Sequence, residues 1–265
     1  MHRVDYDRIA HLYDEALREH RLDPHLVAYL AGRAELAPNQ VRILDVGCGT
    51  GTQLAANRAT FPDVLAVGLD LFAGMLAVAR ARCPEVAWVR GDASRLPFRS
   101  ESIHYATNQF SYHHVRDRPG FVREVFRVLT PGGRFVMVNI DPWAMPNWAI
   151  YQFFPEARDL DHRDFLPGEA FAELMRGAGF GEVRITRDIG RASEPIAQFL
   201  AYARQRHRAS QLVALLDDDY RAGIRRIERA VVDSENGRAS VESESCLLTI
   251  QGDKPRRANP GPETG

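Results

Sequence analysis

Three stretches of this sequence carry residue types that could do chemistry. In Asp45-Val46-Gly47-Cys48-Gly49-Thr50-Gly51, glycines alternate with other residues. Glycines let a backbone pass close beneath a ligand, and a helix that follows them offers free N–H groups to a negative group. The spacing is not that of the dinucleotide fingerprint G-x-G-x-x-G. A P-loop would need Gly-Lys-Ser/Thr, and Lys254 is the only lysine of the chain. Neither NAD nor ATP is therefore the best match. Asp70 stands about 20 residues beyond the loop, where a carboxylate can accept both hydroxyls of an unphosphorylated ribose. Each such charge-assisted bond contributes roughly 1.5–3 kcal/mol. Gly91-Asp92-Ala93 supplies a second acid in the same manner.

The third stretch is Asn108-Gln109-Phe110-Ser111-Tyr112-His113-His114-Val115. An unperturbed imidazole titrates near pH 6.5, so His113 and His114 are candidates for a general base or for positioning an acceptor. No carboxylate or cysteine stands at ligand spacing from them, and no metal site is expected.

These residues need a scaffold that brings them together. Short apolar runs alternate with helical stretches from Val41 onward: 41–47, 64–70, 86–92, 102–108, 133–140 and 182–189, with a late run at 245–251. Continuously apolar strands separated by helices imply an α/β, doubly wound, mostly parallel seven-stranded sheet. The glycine loop, Asp70 and Asp92 then close three successive strands at the edge where open α/β sheets bind ligands. Residues 72–82, 121–129 and 169–178 read as helices, with TPGG (130–133) and GAGFG (177–181) as helix exits. Helical spacing before Pro38 predicts N-terminal helices. Residues 141–165, rich in aromatics and broken by prolines, read as a lid, and 194–232 as a helical cap.

Composition narrows the functional classes. The 265 residues hold 34 basic and 35 acidic side chains, a formal net charge of −1, so no overall field draws the chain to nucleic acid or an anionic membrane. No apolar run approaches the roughly 20 residues that span a bilayer, and the charged N-terminus is unlike a secretory leader. Three cysteines at unrelated spacings fit neither a disulfide framework nor a C-x-x-C site, so a cytoplasmic protein is expected. The acid and arginine pattern Asp217 to Arg229 reads as a solvated helix face.

The run LDVGCGTG, the acid in VGLD, the GDASRLPF segment and LTPGGRF resemble the class I S-adenosylmethionine (SAM)-dependent methyltransferases of the methyltransferase-11 or quinone-biosynthesis type. The resemblance covers about residues 5–190 and implies a Rossmann-like methyltransferase fold with a helical cap. It implies that Gly47, Gly49 and Gly51 hold the methionine part of SAM, and that Asp45 orients the loop and the ligand amino group. Asp70 would take the ribose hydroxyls and Leu71 the adenine face, with Asp92 and the Ala93 amide reading the adenine edge. Asn108 leads into a loop that would face the transferring methyl group. The opening YDRIAHLYDEAL is like the family's Tyr-Asp-x-x-A-x-x-Tyr-Asp, which implies that Tyr6 or Tyr13 folds over the methionine end.

SAM carries no phosphate, so glycine amides with acids and no lysine suit its charge pattern. The fourth-strand loop lacks the Asn/Asp-Pro-Pro-Tyr pattern that clamps an extruded base, which argues against nucleic acid as substrate. The expected acceptor is a small metabolite with a planar or lipophilic portion, roofed by aromatics such as Trp143, Trp148, Tyr151, Phe153 and Phe154. The alternatives are a non-catalytic SAM-binding protein and an NAD(P)-dependent oxidoreductase. The expected organisation is cap helices 1–40, a SAM-binding core 41–140, a lid 141–165, a core continuation 166–190, a cap insertion 191–240, a final strand 241–253 and a disordered tail 254–265. Oligomeric state is not legible.

Overall fold

The computed structural model describes residues 6, 7, 10, 22–33, 35–234 and 239–257. Strands β1 (Arg42–Val46), β2 (Leu65–Asp70), β3 (Ala87–Arg90), β4 (Ile103–Gln109) and β5 (Leu129–Ile140) are parallel; β7 (Ser240–Asp253) pairs antiparallel with β5, and β6 (Gly181–Pro195) pairs antiparallel with β7, so that β6 runs in the direction of the parallel set. The order is β3-β2-β1-β4-β5-β7-β6. The chain winds outward from β1 to β3 and then returns to place β4 on the other side of β1. The crevice beyond the ends of β1 and β4 is thus the switch point at which doubly wound sheets bind ligands.

Both faces of the central strands are covered, which is why β1 and the 135–140 run of β5 are apolar with little alternation. Helices α1 (Pro24–Ala31), α2 (Thr52–Thr60) and α3 (Ala73–Arg82) bury Leu26, Leu54 and Leu76 against Ile43, Tyr105 and Val136. On the opposite face, α4 (Arg118–Val128) and α7 (Gly168–Ala178) bury Phe121, Val125, Phe171 and Met175 against Phe135 and Met137. The Asp117 carboxylate caps α4 by accepting the Gly120 N–H at 2.8 Å, and Gly179 at φ 105° closes α7 in the left-handed region. The TPGG segment, expected as a helix exit, is a bulge within β5, so that Ile103 faces Leu129 while Tyr105 faces Arg134.

The lid and the cap insertion form one unit rather than two. Helices α5 (Ala149–Phe153) and α6 (Pro155–Asp164) share an apolar core with α8 (Ile196–Ala203), α9 (Ser210–Ala214) and α10 (Asp217–Asp233). Strand β7 falls within one residue of the expected 241–253, but β6 outruns its expected bounds, because 189–195 pair with 240–246 in a ribbon whose Val241 and Cys246 are buried in the core of this unit. The β6 half of the ribbon is largely exposed, so apolar periodicity could not reveal it. Arginines of the cap meet carboxylates, as in Arg206–Asp217 at 2.6 Å and Arg204–Glu228 at 2.9 Å. The root of the expected tail is anchored: the Lys254 N–H donates to the Gly133 carbonyl at 2.8 Å, while 258–265 lie outside the described residues. Among the described residues no helix is long and apolar enough to cross a membrane.

A methyl group at buried Gly223 of α10 would overlap the Phe154 ring. Gly223→Ala is expected to destabilise the protein by roughly 1–3 kcal/mol, as overpacking does. Chemical denaturation checks this, and an unchanged midpoint would place Phe154 elsewhere.

Candidate functional site

The glycine loop leaves β1 at Val46, and Gly51, at φ 75°, caps α2. The Gly47 and Cys48 N–H groups both donate to the Leu69 carbonyl, at 2.7 and 3.0 Å, which seats the loop on β2. The next amide, Gly49 N–H, donates to Asp70 Oδ2 at 2.8 Å, and the Phe72 N–H donates to Asp70 Oδ1 at 2.9 Å. Asp70 is buried, which raises its pKa against the lowering effect of these amides. Each carboxylate oxygen can accept more than one bond, so both keep capacity for an incoming donor.

The three glycines, equivalent in the sequence, differ in their surroundings. A side chain at Gly47 would collide with Ser111, and one at Gly51 with the Trp88 ring. Gly49, at φ 54°, has nothing within 4 Å of where a Cβ would stand. It is the glycine whose face is open.

Beneath the loop lies a group of sealed acceptors. Asp45 Oδ1, Asn108 Oδ1 and Thr107 Oγ1 are buried without a hydrogen-bond partner among the described residues. Asp45 and Thr107 are register partners on adjacent strands. Asn108 is oriented by its amide nitrogen, which donates to the Val46 carbonyl at 2.7 Å and to Ser111 Oγ at 2.6 Å. Burial pushes the Asp45 carboxyl up to about 8, helped by the negative charges of Asp23 and Asp70. Thr107 and Asn108, consecutive on the strand, point to opposite faces of the sheet, so each oxygen is unpartnered separately. A cationic N–H group is what would satisfy an ionised Asp45.

At the rim, Leu71 is 48% exposed, an unusual setting for an apolar side chain that directly follows a buried acid. Asp92 lies past the end of β3, where its Oδ1 accepts the Ser94 N–H and hydroxyl, both at 2.8 Å. It therefore shapes the turn that carries Ala93. Tyr6 bridges the crevice: its ring lies 5.4 Å from that of Phe72, and its hydroxyl pairs with His114 Nε2 at 2.8 Å. Tyr13 lies outside the described residues.

The loop after β4 begins at Phe110 with φ 53°, a left-handed backbone that a bulky residue adopts only under constraint. Its two histidines then part company. His114 is exposed and meets Tyr6. His113 stacks on Phe165, ring centroids 4.3 Å apart at 11°, and its Nδ1 faces the Asn139 amide nitrogen at 3.2 Å. Burial, with the positive fields of His114 and Arg118, holds its pKa well below the usual value. Of the cap aromatics, Tyr151 and Phe154 are core residues of the cap; Tyr151 donates to Asp161 Oδ2 at 2.6 Å. Burial raises the Asp161 carboxyl to about 7. Trp143 stacks at 8° on His162 and stays partly exposed. Among the described residues no group of His, Cys, Asp and Glu could hold a metal ion.

Sequence reasoning missed Thr107, Ser111, Asn139 and Phe165. Asn139 could have been found, because it is a polar residue inside the otherwise apolar run 135–140.

Residues 44–137 match a family model described as a methyltransferase domain. The chain is 32% identical over 203 residues to 2-phytyl-1,4-naphtoquinone methyltransferase of Thermosynechococcus vestitus, covering 68% of this chain and 90% of that protein. It is 35% identical to the demethylmenaquinone methyltransferase of Deinococcus radiodurans, over 57% of this chain and 72% of the relative. A solved structure of Haemonchus contortus phosphoethanolamine N-methyltransferase 2 with S-adenosyl-L-methionine superposes with a TM-score of 0.61 at 18% identity, covering 96% of this chain and 59% of that one. That last likeness shows the fold alone.

An aspartate whose pKa is higher in the folded than in the unfolded chain stabilises the fold fully below the unfolded value. It loses that contribution as pH rises toward the folded value. For Asp45 the window runs from 3.8 to about 8. Without ligand, Asp45→Asn is expected to gain denaturation midpoint over wild type as pH is raised through that window. Equal midpoint differences at both ends would show that Asp45 is not held neutral.

Proposed function

This chain belongs to the class I SAM-dependent methyltransferases, and from that premise we propose that the crevice beyond β1, β2 and β4 holds SAM while the loop after β4 presents a flat, oxygen-bearing aromatic acceptor. When bound, SAM would supply an electrophilic methyl group on its sulfonium, and the acceptor that takes it would release one proton to water.

The residues present fit this cofactor. Asp70 would accept the two ribose hydroxyls on the capacity its oxygens retain beside the Gly49 and Phe72 amides. The open face of Gly49 gives the methionine part room, while Gly47 and Gly51 keep the loop closed on Ser111 and Trp88. Asp45 and Asn108 would satisfy their unpartnered oxygens through the ammonium group, whose charge would return Asp45 to its ionised form. Leu71 would lie on the adenine face, with Asp92 and Ala93 at its edge. Tyr6 would close over the methionine end from its bridge to His114. The single observation that carries the cofactor assignment is the Asp70 carboxylate, buried at the switch point with one fixed amide on each oxygen.

Methyl transfer asks the protein chiefly to align nucleophile, methyl carbon and sulfur and to exclude water, and alignment alone can supply roughly 7–11 kcal/mol. The ring stack of His113 on Phe165 offers a flat wall for a planar acceptor. The quinone methyltransferases that share up to nine-tenths of their length with this chain support a hydroquinone-type acceptor. The oxidoreductase alternative is not favoured, since these relatives are methyltransferases and the glycine spacing is not the dinucleotide one.

Incubation with methyl-labelled SAM and a reduced 1,4-naphthoquinone is expected to move label into the organic extract; no transfer to it, or to any low-mass compound of a cell extract, would overturn the proposed reaction. Asp70→Ala is expected to weaken SAM binding by roughly 2–4 kcal/mol through loss of both ribose contacts. Titration calorimetry reads this, and unchanged affinity would remove Asp70 from the site.

A further inference from the structure

Asn139 is wholly buried near the end of β5, a strand whose neighbouring residues are apolar. An amide in such a layer is tolerated only if both of its ends are bonded. Its Oδ1 accepts the Ile140 N–H at 2.9 Å, and its nitrogen stands 3.2 Å from His113 Nδ1. The first of these bonds settles the second. A backbone N–H can only donate, so the atom it meets must be the amide oxygen. The other end is then the NH₂ group, which can only donate in its turn. His113 Nδ1 must therefore offer a lone pair, and the neutral ring carries its proton on Nε2.

We propose that Asn139 is a positioning residue that locks His113 as the Nε2–H tautomer, and that His113 serves the methyl acceptor as a hydrogen-bond donor to one of its oxygens rather than as a base. The assignment to the acceptor rests on the proposed methyltransferase reading; the tautomer lock does not. Its physical content is that both ring nitrogens are committed: Nδ1 receives a hydrogen bond, and Nε2 already holds the proton a base would need to take. Protonation at Nδ1 would set N–H against the Asn139 NH₂, which the buried setting opposes further.

Nε2 has no hydrogen-bond partner among the described residues, yet it is not one of the sealed, unpartnered atoms, so it keeps contact with solvent. A donor beside the Phe165 stack suits a flat ring with an oxygen at its edge. No proton leaves His113 in this role. Methylation releases one proton from the acceptor, which passes to water, while the bond holds the acceptor's oxygen and the electron pair of the nucleophilic atom is directed at the methyl carbon. Donors of this kind act by preorganisation. His114, exposed and paired with Tyr6, is left as the imidazole of the loop whose Nε2 meets a hydroxyl.

The test has a spectroscopic arm and a kinetic arm. In ¹⁵N-histidine-labelled wild type without ligand, long-range ¹H–¹⁵N spectra should show His113 with a pyrrole-type Nε2 and an acceptor-type Nδ1. Asn139→Asp, which places an acceptor where NH₂ stood, should move the proton to Nδ1. In turnover of a reduced naphthoquinone, His113→Leu should lower kcat by about 10²–10³-fold, the loss that follows removal of one preorganised donor. His113→Gln, whose amide N–H reaches the Nε2 position but cannot act as a base, should recover most of that loss, with SAM affinity unchanged in both.

A proton on Nδ1 in wild type would overturn the lock, and equal loss in the Leu and Gln variants would overturn the donor role. Failure of wild type to methylate any acceptor would count against the methyltransferase reading instead, and would leave the His113 spectrum untouched, so the two failures are distinguishable.

Discussion

One buried carboxylate holds the site together. Asp70 closes β2, accepts the Gly49 amide from the loop that follows β1, and accepts the Phe72 amide from the turn that follows itself. Without these bonds the loop would be fixed to β2 only through the Leu69 carbonyl. Burial makes an ionised carboxylate costly, and its amide donors offset that cost while leaving each oxygen room for another donor. The geometry at the switch point depends on this arrangement, because it sets the distance between the open glycine and the rim at Leu71.

A second constraint is electrostatic. Asp45 Oδ1 and Asn108 Oδ1 are each buried without a donor among the described residues, and burial with the charges of Asp23 and Asp70 raises the Asp45 carboxyl to about 8. Such an arrangement costs stability in the free protein, the pattern expected where a binding site conflicts with the fold around it, and under the proposed function an entering ammonium group would offset that cost. Under the proposed function the acceptor side would be built differently: its groups are neutral and aromatic, with His113 between Phe165 and Asn139, so that specificity would rest on shape and a few directed hydrogen bonds.

The sheet was legible because strands covered on both faces are apolar throughout, and the cofactor loop because glycines and acids at strand ends have few other uses. Asp70 stands where the pattern put it. Asp92 occupies the expected edge but spends one oxygen on the turn to Ser94, a local bond that spacing could not reveal. The extension of β6 was not legible, since residues 190–193 are exposed and keep no apolar alternation. The union of lid and cap rests on contacts distant in sequence, such as Phe154 with Gly223. The division of labour between His113 and His114 was equally hidden. It depends on Asn139 and Phe165, which the sequence separates from that loop and only packing brings to it.

The most direct test is a crystal structure of the protein with S-adenosylhomocysteine. The account predicts that both ribose hydroxyls lie within hydrogen-bond distance of the Asp70 oxygens, with the Gly49 and Phe72 amides still donating to the same carboxylate and the amino group over Asp45. A nucleoside bound elsewhere, or an Asp70 side chain turned away from its sugar, would contradict it.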